Sequence, residues 1–232
     1  MTGVGWGSMA TGTVLIAGAS RGLGLELARQ LSGSGHHVIS ANRGAPQERL
    51  EGVEHVALDL ASEASIAGLA QELDGRTIDI LINNGAIAGD EGGLSSLDST
   101  DFLKVIAVNT LGPLLMAKYF VPHLMRGSRR VIANISSRVG SISEGIIDEG
   151  NYAYCISKSA LNMASAKLAF HYGGQGLCVL SLHPGWIRTE MGGPDATLDV
   201  SASATGLIGL ITTATPSDNG SYRSYDGRKI GW

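Results

Sequence analysis

Thr13-Val14-Leu15-Ile16-Ala17-Gly18-Ala19-Ser20-Arg21-Gly22-Leu23-Gly24 is the stretch on which the fold turns. Thr13 to Ala17 reads as a buried strand, and Gly22 to Ser32 has helical spacing, with Leu23, Leu27, Ala28 and Leu31 along one face. Between them lies a turn rich in glycine. Glycines let a backbone bend sharply and approach a pyrophosphate closely, and the helix that follows offers unpaired N–H groups and the positive end of its dipole. Gly18, Ser20, Arg21, Gly22, Leu23 and Gly24 are therefore candidates to hold a nucleotide phosphate. The spacing is G-x-x-x-G-x-G, not the G-x-G-x-x-G of many dinucleotide binders.

The same alternation continues almost to the end of the chain. Apolar runs at 37–41, 53–58, 78–82, 131–135 and 177–182 read as five more strands, with helical stretches over 65–73, 101–125 and 154–172 between them. Continuous apolar strands separated by helices predict a parallel sheet covered on both faces, a doubly wound α/β fold with right-handed crossovers. One domain over 13–232 is expected, preceded by a flexible glycine-rich leader, 1–12, in which Met9 is an alternative start. The 232 residues carry a net charge of −4 and are 44% apolar, enough for one large core. Mild acidity without a long Lys/Arg cluster argues against nucleic acid. No apolar run reaches the roughly 18–20 residues that span a bilayer, so no membrane partner is expected. Cys155 and Cys178 make no disulfide framework, which fits a cytoplasmic protein. The six histidines show no ligand spacing, so no metal is expected and His183 reads as packed.

Tyr154 and Lys158 stand four apart at the start of a helical pattern, which puts a phenol and an ammonium on one face about 5–6 Å apart at Cβ. A cation there favours the phenolate and lowers the tyrosine pKa, tuning it for proton transfer. Tyr152 lies off that face and reads as pocket wall. Asn109 precedes Pro113 by four residues; proline has no N–H, so the Asn109 carbonyl loses its helical partner and can hold a water.

In order, the glycine turn, Asp59-Leu60, Asn83-Asn84-Gly85-Ala86, Asn109, Ser136-Ser137, Tyr154 with Lys158, and Pro184-Gly185 resemble the motifs of the short-chain dehydrogenases/reductases. The runs Asn134 to Ser143 and Asn151 to Tyr154, and the ending Tyr225 to Trp232, are similar to the branch of C-factor-like and sniffer-like carbonyl reductases. The resemblance implies a Rossmann fold and a nicotinamide cofactor. Asp59 and Leu60 would hold the adenine, with Asn84, Gly85 and Ala86 beside it. Pro184, Gly185, Ile187 and Thr189 would wrap the nicotinamide. Gly85 and Ala86 stand in exchanged order relative to the family, which shifts the permissive position by one. Relatives that prefer NAD carry an acid after the second strand; here Ser40-Ala41-Asn42-Arg43 has none, and Arg43, with Arg21, suits a 2′-phosphate. NADP(H) is thus favoured over NAD(H).

By the same resemblance Tyr154 is the general acid for carbonyl reduction and the base for alcohol oxidation. Lys158 lowers its pKa and binds the nicotinamide ribose, Ser137 polarises the carbonyl, and Asn109 anchors a water in the proton relay. Ser137 lies 17 residues before Tyr154, further than in many family members, whose separation Ser141 matches instead. Ser137 is preferred because the reacting hydroxyl belongs at the strand's C-terminal end, with a longer loop over 143–150. Substrate contacts are expected from Tyr152, Trp186 and Met191 and a mobile lid over about 186–204, around a neutral aldehyde or ketone. The other readings are a pathway-specific biosynthetic ketoreductase and a C-factor-like nucleotide-binding signalling protein with little turnover. A homodimer or homotetramer assembled through 101–125 and 154–172 is also implied.

Overall fold

A computed structural model describes residues 11–144 and 150–232. Seven strands form one wholly parallel sheet in the order β3-β2-β1-β4-β5-β6-β7. They are β1 (Thr13–Ala17), β2 (His37–Asn42), β3 (Val53–Ala57), β4 (Ile80–Asn83), β5 (Val131–Ile135), β6 (Cys178–His183) and β7 (Ser221–Ser224). The helices are α1 (Gly22–Gly33), α2 (Glu63–Glu72), α3 (Ser99–Ile106), α4 (Gly112–Arg126), α5 (Tyr152–Tyr172) and α6 (Val200–Thr212). The doubly wound α/β expectation holds; α6 and the seventh strand, the polar run Ser-Tyr-Arg-Ser, are elements that the sequence pattern did not assign.

Strand side chains alternate between two cores because successive residues of a strand face opposite ways. Val14 and Ile16 of β1 join Leu23, Leu27 and Leu31 of α1 and Leu207 and Ile211 of α6 on one side. Leu15 and Ala17 join Ile66 and Leu69 of α2 and Met116, Phe120 and Leu124 of α4 on the other. Burial on both faces explains why β1, β4 and β5 read as continuous apolar runs.

The expected single helix over 101–125 is three pieces. A π-helical turn, Ala107–Leu111, joins α3 to α4, and the Gly112 N–H donates to the carbonyl of Ala107. Pro113 enters α4 at its first turn, where a missing N–H is tolerated. Taken together, Ser99–Arg126 is long and apolar enough to cross a bilayer, contrary to the sequence expectation. Its apolarity is accounted for by Val105, Met116, Ala117, Phe120 and Leu124, all buried within this fold.

Of the expected leader, residues 1–10 lie outside the described residues. Gly12 already accepts from the His37 N–H at 3.2 Å. The expected lid also ends early: Asp199 accepts from the Ser201 N–H at 2.8 Å and caps α6, so 200–204 are helical rather than irregular. In the expected loop over 143–150, residues 145–149, with Asp148 and Glu149, lie outside the described residues.

Candidate active site

Ala17 pairs with Ala41 on one side and Asn83 on the other, so β1, β2 and β4 end level at one edge of the sheet. The chain leaves β1 toward β2 and later returns to β4, and the split opens a crevice at this edge. The candidate motifs lie on the loops at this edge, except Asn109 in the π turn and Tyr154 and Lys158 on α5.

The glycine turn is locked onto its neighbours. Gly18 has φ +87°, and a Cβ there would meet the backbone of Gly85 in the loop after β4. The Asn84 side chain donates to the Gly18 carbonyl at 2.5 Å. Gly85 has an ordinary φ, so its lack of a side chain serves close approach to Gly18 and Leu60 rather than backbone freedom. Asn42, at the end of β2, accepts from the Ala19 N–H at 2.6 Å. Asn42 went unnoticed in the sequence, although its place at the strand end beside Arg43 is a usable signal. Arg43 is exposed next to it. Arg21, expected to face a phosphate, instead pairs with Glu190 of the loop after β6 at 2.5 Å. The same loop brings Thr189 against Gly22. Asp59 accepts from the Ala61 N–H at 2.9 Å and shapes the turn after β3.

The loop after β6 is more ordered than a free lid. Gly185 has φ +82° and leaves room for Leu198; the Arg188 N–H donates to the Leu198 carbonyl, and the Leu198 N–H to the Trp186 carbonyl. Ile187 is buried in this small pairing, and the exposed Trp186 ring donates to the Gly192 carbonyl at 2.8 Å. The Ser203 hydroxyl donates to the Pro184 carbonyl at 2.6 Å, tying the loop to α6. Met191 is exposed.

At the end of β5, the Ser137 side chain stands beside the Tyr154 phenol and favours its charged form. Ser137 Oγ also accepts from the Val139 N–H at 3.4 Å, which leaves the serine proton to donate elsewhere. Ser141, the rival, donates to the Gly231 carbonyl at 2.5 Å and is buried away from the phenol. Ser137, not Ser141, is thus among the groups that act on the Tyr154 phenol. Tyr152 is exposed at the first residue of α5, two residues earlier than the expected helix start.

Lys158 is 2% exposed and donates from Nζ to the Ile135 carbonyl at 2.8 Å. Its Nζ lies 5.4 Å from the Tyr154 ring centre. Burial brings the lysine down to about 8. Tyr154 runs against expectation: its pKa is pushed up to about 12, not lowered. The residue keeps some solvent contact, but its hydroxyl is desolvated, and loss of water disfavours the phenolate more than Ser137 helps it. The Lys158 ammonium spends a donor on a carbonyl instead of on the phenol. Cys155 beside it is half-buried, and Cys178 is buried in β6.

Asn109 is almost wholly buried. Its amide oxygen accepts from the Ile87 N–H at 2.9 Å, and its nitrogen donates to the Ile87 carbonyl and to Ser157 Oγ. The side chain is a clamp between the π turn, the loop after β4 and α5, so any relay role falls to its backbone carbonyl. His183 is half-buried; loss of water and the nearby Arg138 and Arg228 cations bring it down to about 4, hence neutral, and its Nδ1 accepts from the Arg138 N–H at 3.2 Å.

Residues 12–197 match the short chain dehydrogenase family. Among curated proteins the chain is similar to the C-signal of Myxococcus xanthus, 37% identical over 67% of this chain and 93% of that one. Among solved structures it is similar to the carbonyl reductase Sniffer of D. melanogaster, with a TM-score of 0.90 and 30% identity over 96% of this chain and all of that one. A carbonyl reductase from Pseudomonas aeruginosa in complex with NADP superposes with a TM-score of 0.80 at 31% identity, over 96% of this chain and 100% of that one.

Proposed function

The chain belongs to the short-chain dehydrogenase family, of the branch that includes Sniffer and C-signal, and we propose that this oxidoreductase is an NADP(H)-dependent reductase of small neutral aldehydes or ketones. The observation that carries the reading is the meeting of the Ser137 hydroxyl, the Tyr154 phenol and the buried Lys158 ammonium at the open edge of the sheet.

The crevice fits a dinucleotide. A Cβ at Gly18 or Gly24 would collide with the Gly85 or Gly18 backbone, so both glycines keep the turn tight at the mouth of the crevice. Arg21 is the N-cap of α1 yet supplies no side-chain cap, so first-turn N–H groups are left for an anion. β2 ends in Asn42, whose carboxamide faces the turn, followed by the exposed Arg43. An acid that would repel a 2′-phosphate is replaced here by a guanidinium that attracts one. The exposed Arg21–Glu190 pair is worth at most about 1 kcal/mol, so a phosphate can displace it. The neighbour from P. aeruginosa in complex with NADP supports the same preference.

When bound, the cofactor supplies the hydride. Ser137 donates to the substrate oxygen and holds it beside Tyr154. Tyr154, with its pKa near 12, stays a phenol at neutral pH and so is poised to donate its proton to that oxygen. Lys158, still largely cationic below about 8, steadies the negative charge left on the phenolate. Asn109 keeps the loop after β4 and α5 in fixed register beneath them. Tyr152, Trp186 and Met191 stand exposed as pocket walls, with the loop over 186–199 as a lid. We assign Ile156, Met163 and the 93%-exposed Phe170, spaced by seven along α5, to contact with a second copy of this chain.

A second reading, a nucleotide-binding signal protein with little turnover, is favoured by the likeness to C-signal. One assay separates the two: loss of NADPH absorbance against a panel of carbonyls, alongside NADPH binding. Turnover on a neutral aldehyde or ketone supports the reductase. Binding without turnover on any carbonyl moves the conclusion to the second reading.

A further inference from the structure

We propose that Tyr222, on β7, is a positioning residue for Ser137, braced by the segment that runs on to Trp232; the proposal rests on the reading of Ser137 given above. Tyr222 is 3% exposed, and its hydroxyl donates to the Ser137 main-chain carbonyl at 2.5 Å. That bond fixes the peptide plane between Ser137 and Arg138, directly next to the hydroxyl that meets Tyr154.

The segment after β7 folds back to hold the tyrosine. The Ile230 N–H donates to the Tyr222 carbonyl at 2.9 Å, and Arg223 pairs with Lys229 in an antiparallel bridge. The Trp232 ring stacks on Tyr222, 5.1 Å between centres and tilted by 29°. The same segment then grips the far end of the serine loop. Gly231 accepts from Ser141 Oγ at 2.5 Å, and Trp232 accepts from the Ser143 N–H at 3.1 Å. The loop over 137–143 is therefore tied to one brace at both ends. This explains why Ser141 is buried without facing the phenol: its hydroxyl belongs to the brace. A polar, aromatic ending that contributes little to the apolar core thus acts on the reacting serine.

Tyr222→Phe tests this, because it removes only the hydroxyl and keeps the stack on Trp232. The expected result is a kcat for carbonyl reduction lower by roughly 10-fold, since small misplacements of a reacting group cost this much or more. NADPH affinity should be unchanged, and backbone amide exchange should rise over 136–143 but not in β1 or α1. Trp232→Ala, at a half-exposed ring, should give a smaller loss of the same kind. A Tyr222→Phe enzyme with wild-type kcat overturns the proposal, and so does a loss accompanied by faster exchange throughout the sheet. Should the unaltered protein reduce no carbonyl, the functional reading fails on its own. Exchange over 136–143 then decides the brace: faster in Tyr222→Phe upholds it, unchanged overturns it.

Discussion

Ser137 and Ser141 show how a single hydroxyl's neighbours separate a reacting group from a structural one. Ser137 meets Tyr154, whereas Ser141 is bound to the Gly231 carbonyl. Ser137→Ala is expected to lower kcat by roughly 100-fold, the scale of losing one donor to a developing oxyanion, with NADPH binding kept. Ser141→Ala should stay within a few-fold of wild-type kcat and instead lower the melting temperature. Lys158 gives a second expectation. Its pKa falls from the ordinary 10.5 to about 8 on burial, so between those values the unfolded chain binds more protons and stability without cofactor rises with pH. Below about 8 the buried charge opposes folding by roughly 3 kcal/mol, partly offset by its bond to Ile135. Lys158→Met should abolish that rise, measured by denaturant unfolding across the alkaline range, and leave the protein at least as stable at neutral pH. The Tyr154–Lys158 spacing was legible in the sequence, but the direction of the tyrosine's pKa was not. Spacing says which side chains are neighbours, whereas desolvation depends on everything else that surrounds them.

Among the elements, the βα turn after β1 was readable because glycine is required there by geometry. Gly18 must adopt φ +87° and must let Gly85 approach. Gly18→Ala is expected to cost several kcal/mol and to abolish NADPH binding, checked by calorimetry and titration. Arg43→Ala, at the end of β2, should weaken NADPH by at least 10-fold while leaving NADH nearly unchanged; equal effects on the two cofactors would reject the 2′-phosphate contact. The pieces that patterning did not reveal each have a physical cause. β7 is only Ser-Tyr-Arg-Ser, a short polar strand beyond β6 at the end of the sheet. The π turn at Ala107–Leu111 depends on a hydrogen-bond register that apolar periodicity does not encode, although Pro113 marked the place. α6 went unassigned because it opens on the small residues Ser201, Ala202 and Ser203, which look like loop until Asp199 is seen to cap them.

At the scale of the whole molecule, the parallel sheet brings the segments after β1 to β6 to one edge, which is why motifs spread from Gly18 to Thr189 form one crevice. Sequence order alone carried this much, because strands that alternate with helices leave few topologies open. It did not carry the brace from Tyr222 to Trp232, whose contacts join residues up to ninety positions apart. The apolar stripe of α5 predicts association: Phe170→Glu should shift the sedimenting species toward monomer, with the fold retained by circular dichroism. The central claim is that Tyr154 is the proton donor of an NADPH-dependent carbonyl reduction. The most direct measurement is turnover by Tyr154→Phe on whichever carbonyl the unaltered protein reduces, with NADPH binding followed in parallel. Loss of about 100-fold or more in kcat at unchanged NADPH affinity is the expected result; full activity in Tyr154→Phe would contradict the account.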